Sequence, residues 1–194
     1  MACGGERVFV AGRAPRPVSV TTVTRADAEE VVVEKATEVT EELLDALARL
    51  LPQLSSTPIS PRPEEVEEIL ASGATSLFVA RCGRSRIMGM LTLAIFRAPT
   101  GVRAWIEDVV VDGQARGYGI GKALVVAALE QASAMEARTV DLTSRPSRDA
   151  ANRLYLRLGF QPRETNVYRY HVVADEATRE RVAGPLTQSD GRLP

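Results

Sequence analysis

Hydrophobic and polar positions divide this chain into stretches of different period. Leu43, Leu44, Leu47, Leu50 and Leu51 recur three and four residues apart behind Thr40, which predicts an amphipathic helix over residues 40–51 capped by Thr40. Pro52, Pro58, Pro61 and Pro63 then punctuate a loop, and residues 64–70 predict a short acidic helix closed by Gly73. From there the period shortens. Residues 76–81, 87–96 and 102–111 read as strands joined at Cys82-Gly83-Arg84 and Ala98-Pro99-Thr100-Gly101, which makes an antiparallel meander. After a glycine-rich turn, residues 120–137 carry the apolar residues and alanines of a long helix packed on a sheet. Residues 139–142 predict a further core strand, 149–158 a helix ending at Gly159, and 167–172 a last strand. Val31-Val32-Val33 starts a buried strand near the beginning, and residues 18–23 offer one more. The implied class is α/β, more strictly α+β, with a mixed, mainly antiparallel sheet flanked by helices. One domain over residues 29–172 is expected, between a leader (1–28) rich in Gly and Pro and a charged tail (173–194).

Composition narrows the function more than the fold. A chain of 194 residues with 45% apolar residues can bury a sizeable core but not a second full domain. A net charge of -1 offers no global attraction for nucleic acid or an anionic membrane, so neither is expected as a partner and any anion site must be local. Cys3 and Cys82 support neither a disulfide framework nor a thiolate metal site. The apolar run over residues 8–11 is too short for a signal peptide, and no run reaches 18 apolar residues, so a cytoplasmic protein is the expectation.

The strongest chemical signal is Val109-Val110-Val111, a four-residue spacer, then Arg116-Gly117-Tyr118-Gly119-Ile120-Gly121-Lys122 opening a helix. The first amides of a helix lack internal partners, its dipole adds positive potential, and glycines admit a phosphate without a Cβ in the way. Taken alone, a glycine triplet more often serves tight strand-to-helix packing; the strand before it and the helix after it favour an anion cradle. The dinucleotide fingerprint fails because Lys122 stands where its third glycine should be. A P-loop fails because Arg116 replaces its first glycine and Ala123 its Ser or Thr.

Arg116-Gly117-Tyr118-Gly119-Ile120-Gly121 resembles the acyl-CoA-binding signature of the GNAT N-acetyltransferases, Arg/Gln-x-x-Gly-x-Gly/Ala. Asp149-Ala150-Ala151-Asn152-Arg153-Leu154-Tyr155-Leu156-Arg157-Leu158-Gly159-Phe160 is similar to the family's second signature, a helix with Asn and Tyr a turn apart that ends in Gly-Phe. The resemblance covers roughly residues 31–171. It implies the GNAT acyl-CoA N-acyltransferase fold, with acetyl-CoA as acyl donor held where the fourth and fifth core strands part. The amides from Arg116 to Lys122 would hold the pyrophosphate, and Val109, Val110 and Val111 would pair with the pantetheine arm. Asn152 would contact the cofactor, and Tyr155 would sit near the thioester sulfur as general acid. Arg148 is a candidate for the adenosine phosphate.

Acetyl transfer to an amine needs a base, because an amine of pKa near 10.4 is free base in only about one molecule in a few thousand at pH 7. Glu107 and Asp108 lie on a mainly apolar strand beside Trp105, and a partly desolvated Glu suits that role, which puts Glu107 first and Asp108 second. The competing reading has one of them facing water and the other ion-paired in the core. A backbone N–H near Val109 or Val110 would receive the developing oxyanion. The single histidine, His171, has no triad partner and reads as structural, and the run Glu64-Glu65, Glu67-Glu68 reads as a solvated face. No spacing suggests a metal. The expected activity is acetyl transfer to a primary amine of a small molecule. Protein or peptide acetylation and a catalytically idle CoA-binding module are the alternatives, and a homodimer through the leader or the last strand is left open.

Overall fold

Alternation along the middle of the chain becomes the centre of a six-stranded sheet because β-strand geometry sends successive apolar side chains to its two faces. The computed structural model describes residues 21–25, 28–54, 60–82 and 86–170. Its strands are β1 (Thr21–Arg25), β2 (Ala28–Lys35), β3 (Thr75–Cys82), β4 (Ile87–Ala98), β5 (Gly101–Val111) and β6 (Thr139–Leu142), paired in that order. The pairs from β1·β2 to β4·β5 are antiparallel and β5·β6 is parallel, so the mixed, mainly antiparallel sheet is observed. The helices are α1 (Glu41–Leu54), α2 (Pro63–Ala71), α3 (Ile120–Ala134) and α4 (Asp149–Arg157).

Two apolar layers hold the sheet. Phe78, Leu91, Leu93, Ala104 and Ile106 face α3, which buries Ile120, Ala123, Leu124 and Ala128 against them. On the opposite face Leu77, Val79, Met90 and Val110 pack under Leu43, Leu47 and Leu50 of α1 and Val66 of α2. Phe78 is fully buried in the first layer, so Phe78→Ala should cost about 3–5 kcal/mol. For a chain of this size that lowers the melting temperature by on the order of 10 °C. A drop under about 3 °C in a thermal melt would show that the layer re-forms around the cavity.

Thr40 caps α1 as expected, its Oγ1 accepting from the Leu43 amide at 3.1 Å. The helix continues past the predicted end, through Pro52 to Leu54. Proline removes one intrahelical bond there, but contacts beyond the helix hold the last turn. Gln53 Oε1 accepts from the Gly113 amide at 2.9 Å, and the Leu54 carbonyl accepts from Arg148 at 2.8 Å. Helix α4 ends at Arg157, with Leu158 as its C-cap and then Gly159 at φ +92°, a left-handed stop that glycine tolerates.

The chain divides into two units, Met1–Phe160 and Gln161–Pro194. In the second, residues 161–170 form neither helix nor strand, which corrects the strand predicted over 167–172 in its part up to Tyr170; residues 171 and 172 lie outside the described residues. Val167, Tyr168 and Tyr170 are 72%, 88% and 64% exposed. Their alternation therefore buries no face, and no ladder partner is recorded for them among the described residues. His171, Cys3, Gly83, most of the leader and the tail lie outside the described residues. No described helix is long and apolar enough to cross a membrane.

Candidate active site

The site is built where β5 changes partners. Along β4 it stays paired from Gly101 to Val111, but along β6 pairing runs only from Arg103↔Thr139 to Ile106↔Leu142. Immediately past Glu107 the register with β4 slips, from Thr92↔Glu107 to Met90↔Val110, which places an extra residue on β5. That residue is part of a β-bulge in which Asp108 has φ +52°. A bulge bends its strand and raises the local twist. Beyond it, the β6-facing edge of Val109 to Val111 has no β6 partner. The strands thus open a V with Glu107 and Asp108 at its apex.

The two carboxylates differ. Both residues are exposed at the surface, and Glu107 Oε1 accepts from Trp105 Nε1–H at 2.8 Å. Asp108 is raised above the usual carboxylate range, by partial withdrawal from water and then by the neighbouring Glu107 charge. The carboxyl with the raised pKa is thus Asp108, the second of the two candidate bases.

From β5 the chain passes through Asp112 and a single 3-10 turn, Gly113–Ala115, to the glycine loop. Gly117 and Gly119 have φ of +89° and +82°, a region that side chains with a Cβ enter at a cost. A Cβ placed on either would meet no protein atom within 4 Å, so both faces are open to a ligand. The first α-helical bond of α3 runs from Ala123 N–H to the Gly119 carbonyl, and no side chain caps the helix. The amides of Ile120, Gly121 and Lys122 thus keep no intrahelical partner and suit a diphosphate. Arg116 and Lys122 are exposed, and Tyr118 is 51% exposed.

Close packing fixes this helix end. A Cβ on Gly89 of β4 would lie 2.8 Å from Ile120 Cγ2 and 3.1 Å from Leu124 Cδ1, so glycine lets α3 settle onto β4. A Cβ on Gly121 would lie 3.4 Å from Leu154 Cδ2 and 3.6 Å from Val111 Cγ2, which shows β5, α3 and α4 converging there.

Helix α4 supplies the second predicted cluster. Tyr155 is half-buried and stacks edge-on against Phe160, with centroids 5.7 Å apart at 64°. Burial pushes its hydroxyl above the ordinary tyrosine value, while the Arg148 charge opposes the shift. The phenol therefore keeps its proton across neutral pH. Asn152 spends its Nδ2 on the carbonyls of Arg145 (3.1 Å) and Pro146 (3.3 Å), so that amide shapes the loop between β6 and α4. Arg148 Nη2 donates to the Leu54 carbonyl, a structural use of the residue considered for the adenosine phosphate. In the same loop Ser144 Oγ is shielded from water with no hydrogen-bond partner among the described residues.

Residues 41–160 match the family described as Acetyltransferase (GNAT) family. The chain belongs to the GNAT family. Its activity class is acetyl-CoA-dependent N-acetyl transfer. Among solved structures, a transcriptional regulator from Bacillus halodurans C-125 is 28% identical, with 73% of this chain and 99% of that one covered at a TM-score of 0.61. An acetyltransferase from Trypanosoma brucei is 25% identical, with 73% and 99% covered and a TM-score of 0.59. Glucosamine-6-phosphate N-acetyltransferase from Arabidopsis thaliana, 24% identical with 71% and 97% covered at a TM-score of 0.60, shares the fold. No curated protein matches the sequence.

Three residues of the GNAT loop's surroundings escaped the sequence reading. Asp112 is only 4% exposed, pairs with Arg49 and accepts from the Gln114 amide at 3.0 Å. These contacts, the Gln114 amide first, hold its carboxyl below the usual range despite burial. Gln53 reaches the next residue, Gly113. An Asp before Gly signals a turn, but nothing local announces a partner 63 residues away.

Proposed function

We propose that this chain moves the acetyl group of acetyl-CoA to a primary amine of a small molecule. The observation that carries the reading is a single stretch of backbone. It leaves β6 at a bulge bearing two carboxylates and ends at open amides in the first turn of α3. Acetyl-CoA supplies an activated thioester. The amides from Arg116 to Lys122 hold its diphosphate, and the free edge of Val109 to Val111 takes its pantetheine arm as a strand takes a neighbour. Asp108 removes a proton from the ammonium, directly or through one water, while Glu107 keeps the acceptor's cationic end nearby and holds the Asp108 pKa up. The amine nitrogen bonds to the acetyl carbon, a backbone N–H at Val109 or Val110 receives the oxyanion charge, and the carbon–sulfur bond breaks. Tyr155 gives its hydroxyl proton to the departing thiolate and regains one, directly or through water, from the nitrogen as it becomes the amide, while the proton on Asp108 passes to solvent.

The glucosamine-6-phosphate enzyme has this scaffold, and so does an aminoglycoside acetyltransferase from an uncultured soil metagenomic sample, 21% identical with a TM-score of 0.61. Small amines are therefore acceptors that the scaffold can serve. The test is a panel of amines, amino acids, aminoglycosides and a lysine peptide with acetyl-CoA, read as thiol release beside thermal stabilisation by acetyl-CoA. Stabilisation with release for one small-amine class is expected. Release with the peptide alone would move the acceptor to proteins, and stabilisation without release would leave an idle CoA-binding module.

Because a thiol of pKa about 8.5 leaves readily on its own, Tyr155→Phe should slow turnover roughly tenfold to a hundredfold rather than abolish it. The phenyl ring keeps the Phe160 contact. Single-turnover rates would check this, and an unchanged kcat would reduce Tyr155 to a packing residue.

A further inference from the structure

The last two turns of α1 touch both halves of the cofactor site. Arg49 pairs through Nη1 with Asp112 Oδ2 and donates from Nη2 to the Ile87 carbonyl on β4. One turn on, Gln53 Nε2 donates to the Arg49 carbonyl at 3.2 Å, and its Oε1 accepts from the Gly113 amide at 2.9 Å. At the helix end, the Leu54 carbonyl accepts from Arg148, the N-cap residue of α4. Asp112 is fixed from several directions. Its amide donates to the Met88 carbonyl at 2.8 Å, its Oδ1 accepts from Gln114 N–H, and its carbonyl accepts from Ala115 N–H at 2.9 Å. The 3-10 turn so held delivers the chain directly into Arg116-Gly117-Tyr118-Gly119.

We infer that Arg49 and Gln53 of α1 are positioning residues for the diphosphate loop, which they preset by clamping Asp112 and Gly113. The inference rests on the acetyl-CoA reading above and adds to it residues that touch no substrate. A left-handed loop with open amides binds a diphosphate well only if the loop is held in place beforehand, since ordering it on binding would subtract from affinity. An arginine fork suits this role because it spans Asp112 and the Ile87 carbonyl at once, joining loop, helix and β4. Gln53 is exposed and sits on the helix end, so its removal tests the clamp without emptying the core.

The experiment compares acetyl-CoA with acetylpantetheine, which has the thioester arm but no diphosphate. Gln53→Met keeps the side-chain length and loses the acceptor for Gly113 N–H. It should raise the KM and Kd for acetyl-CoA about fivefold, the value of one net hydrogen bond, with kcat at saturation unchanged and the ligand-free melting temperature lowered by no more than about 4 °C. The KM for acetylpantetheine should not move. Arg49→Met should raise the acetyl-CoA KM more than tenfold, and Arg49→Lys, with the charge but no fork, should fall between. Equal KM changes for both donors, or no change with acetyl-CoA in Gln53→Met while the wild type binds it, would overturn the clamp. Failure of the wild type to bind acetyl-CoA would instead strike the cofactor reading, and the inference would fall with it.

Discussion

Asp108→Asn is expected to lower kcat by about 10²–10⁴, the range for loss of a positioned general base, with the Kd for acetyl-CoA unchanged. The substitution is clean for a structural reason. Asp108 has φ +52°, and asparagine is among the few residues that accept that region, so the bulge should survive. The sign of the pH dependence follows from the direction of its shift. The base works ionised, so the rate rises with pH through the Asp108 pKa, which lies above the ordinary carboxylate value. Part of that elevation comes from Glu107. Glu107→Gln removes the like charge and should move the acid limb of the pH–rate profile to lower pH. Folding should respond in the matching direction. A carboxyl with a raised folded pKa disfavours the folded state once it ionises, so Asp108→Asn should be no less stable at neutral pH. The pair of pH–rate profiles decides between the carboxylates. A large kcat loss in Glu107→Gln with little change in Asp108→Asn would transfer the base to Glu107.

Gly119→Val is expected to raise the Kd for acetyl-CoA by a factor on the order of 10² or more. Gly119 is the N-cap of α3 at φ +82°, where a side chain with a Cβ costs about 1–2 kcal/mol and a β-branched one more. If the loop relaxes to relieve that strain, the amides of Ile120 to Lys122 turn away from the diphosphate, and each hydrogen bond to a charged group contributes about 1.5–3 kcal/mol. Open space around the position means that the loss does not come from a clash inside the protein. Calorimetric titration with acetyl-CoA and with CoA checks this, since both carry the diphosphate and should weaken together. A Kd within about twofold of wild type would place the diphosphate elsewhere.

Much of the fold was legible in the chain because short-range rules govern it. The two-residue period of β3 to β5 and the leucine spacing of α1 report which face each element buries, and the turn residues mark where each stops. The glycine loop before α3 was legible for a similar reason. A strand, a glycine turn and a helix start lie within one local segment, and so do the requirements of φ at Gly117 and Gly119. The strand expected over 167–172 was not formed in its described part, because alternation supplies a face but not a neighbour to bury it.

What the tertiary structure alone decided is where distant segments meet. The bulge at Asp108 depends on the register of β5 against β4, so no local pattern showed which carboxylate would take the left-handed backbone conformation. Gly89 reads as an ordinary strand glycine until Ile120 of α3, 31 positions along the chain, lands on it (120 − 89). Arg49 and Gln53 read as the polar side of a helix until Asp112 and Gly113 fold against them. The sequence by itself determined most of the elements, the glycine turn and the family signatures, since these are encoded in neighbouring residues. Strand register and helix docking determined which carboxyl is perturbed and what steadies the loop, since those depend on contacts between residues far apart in the chain.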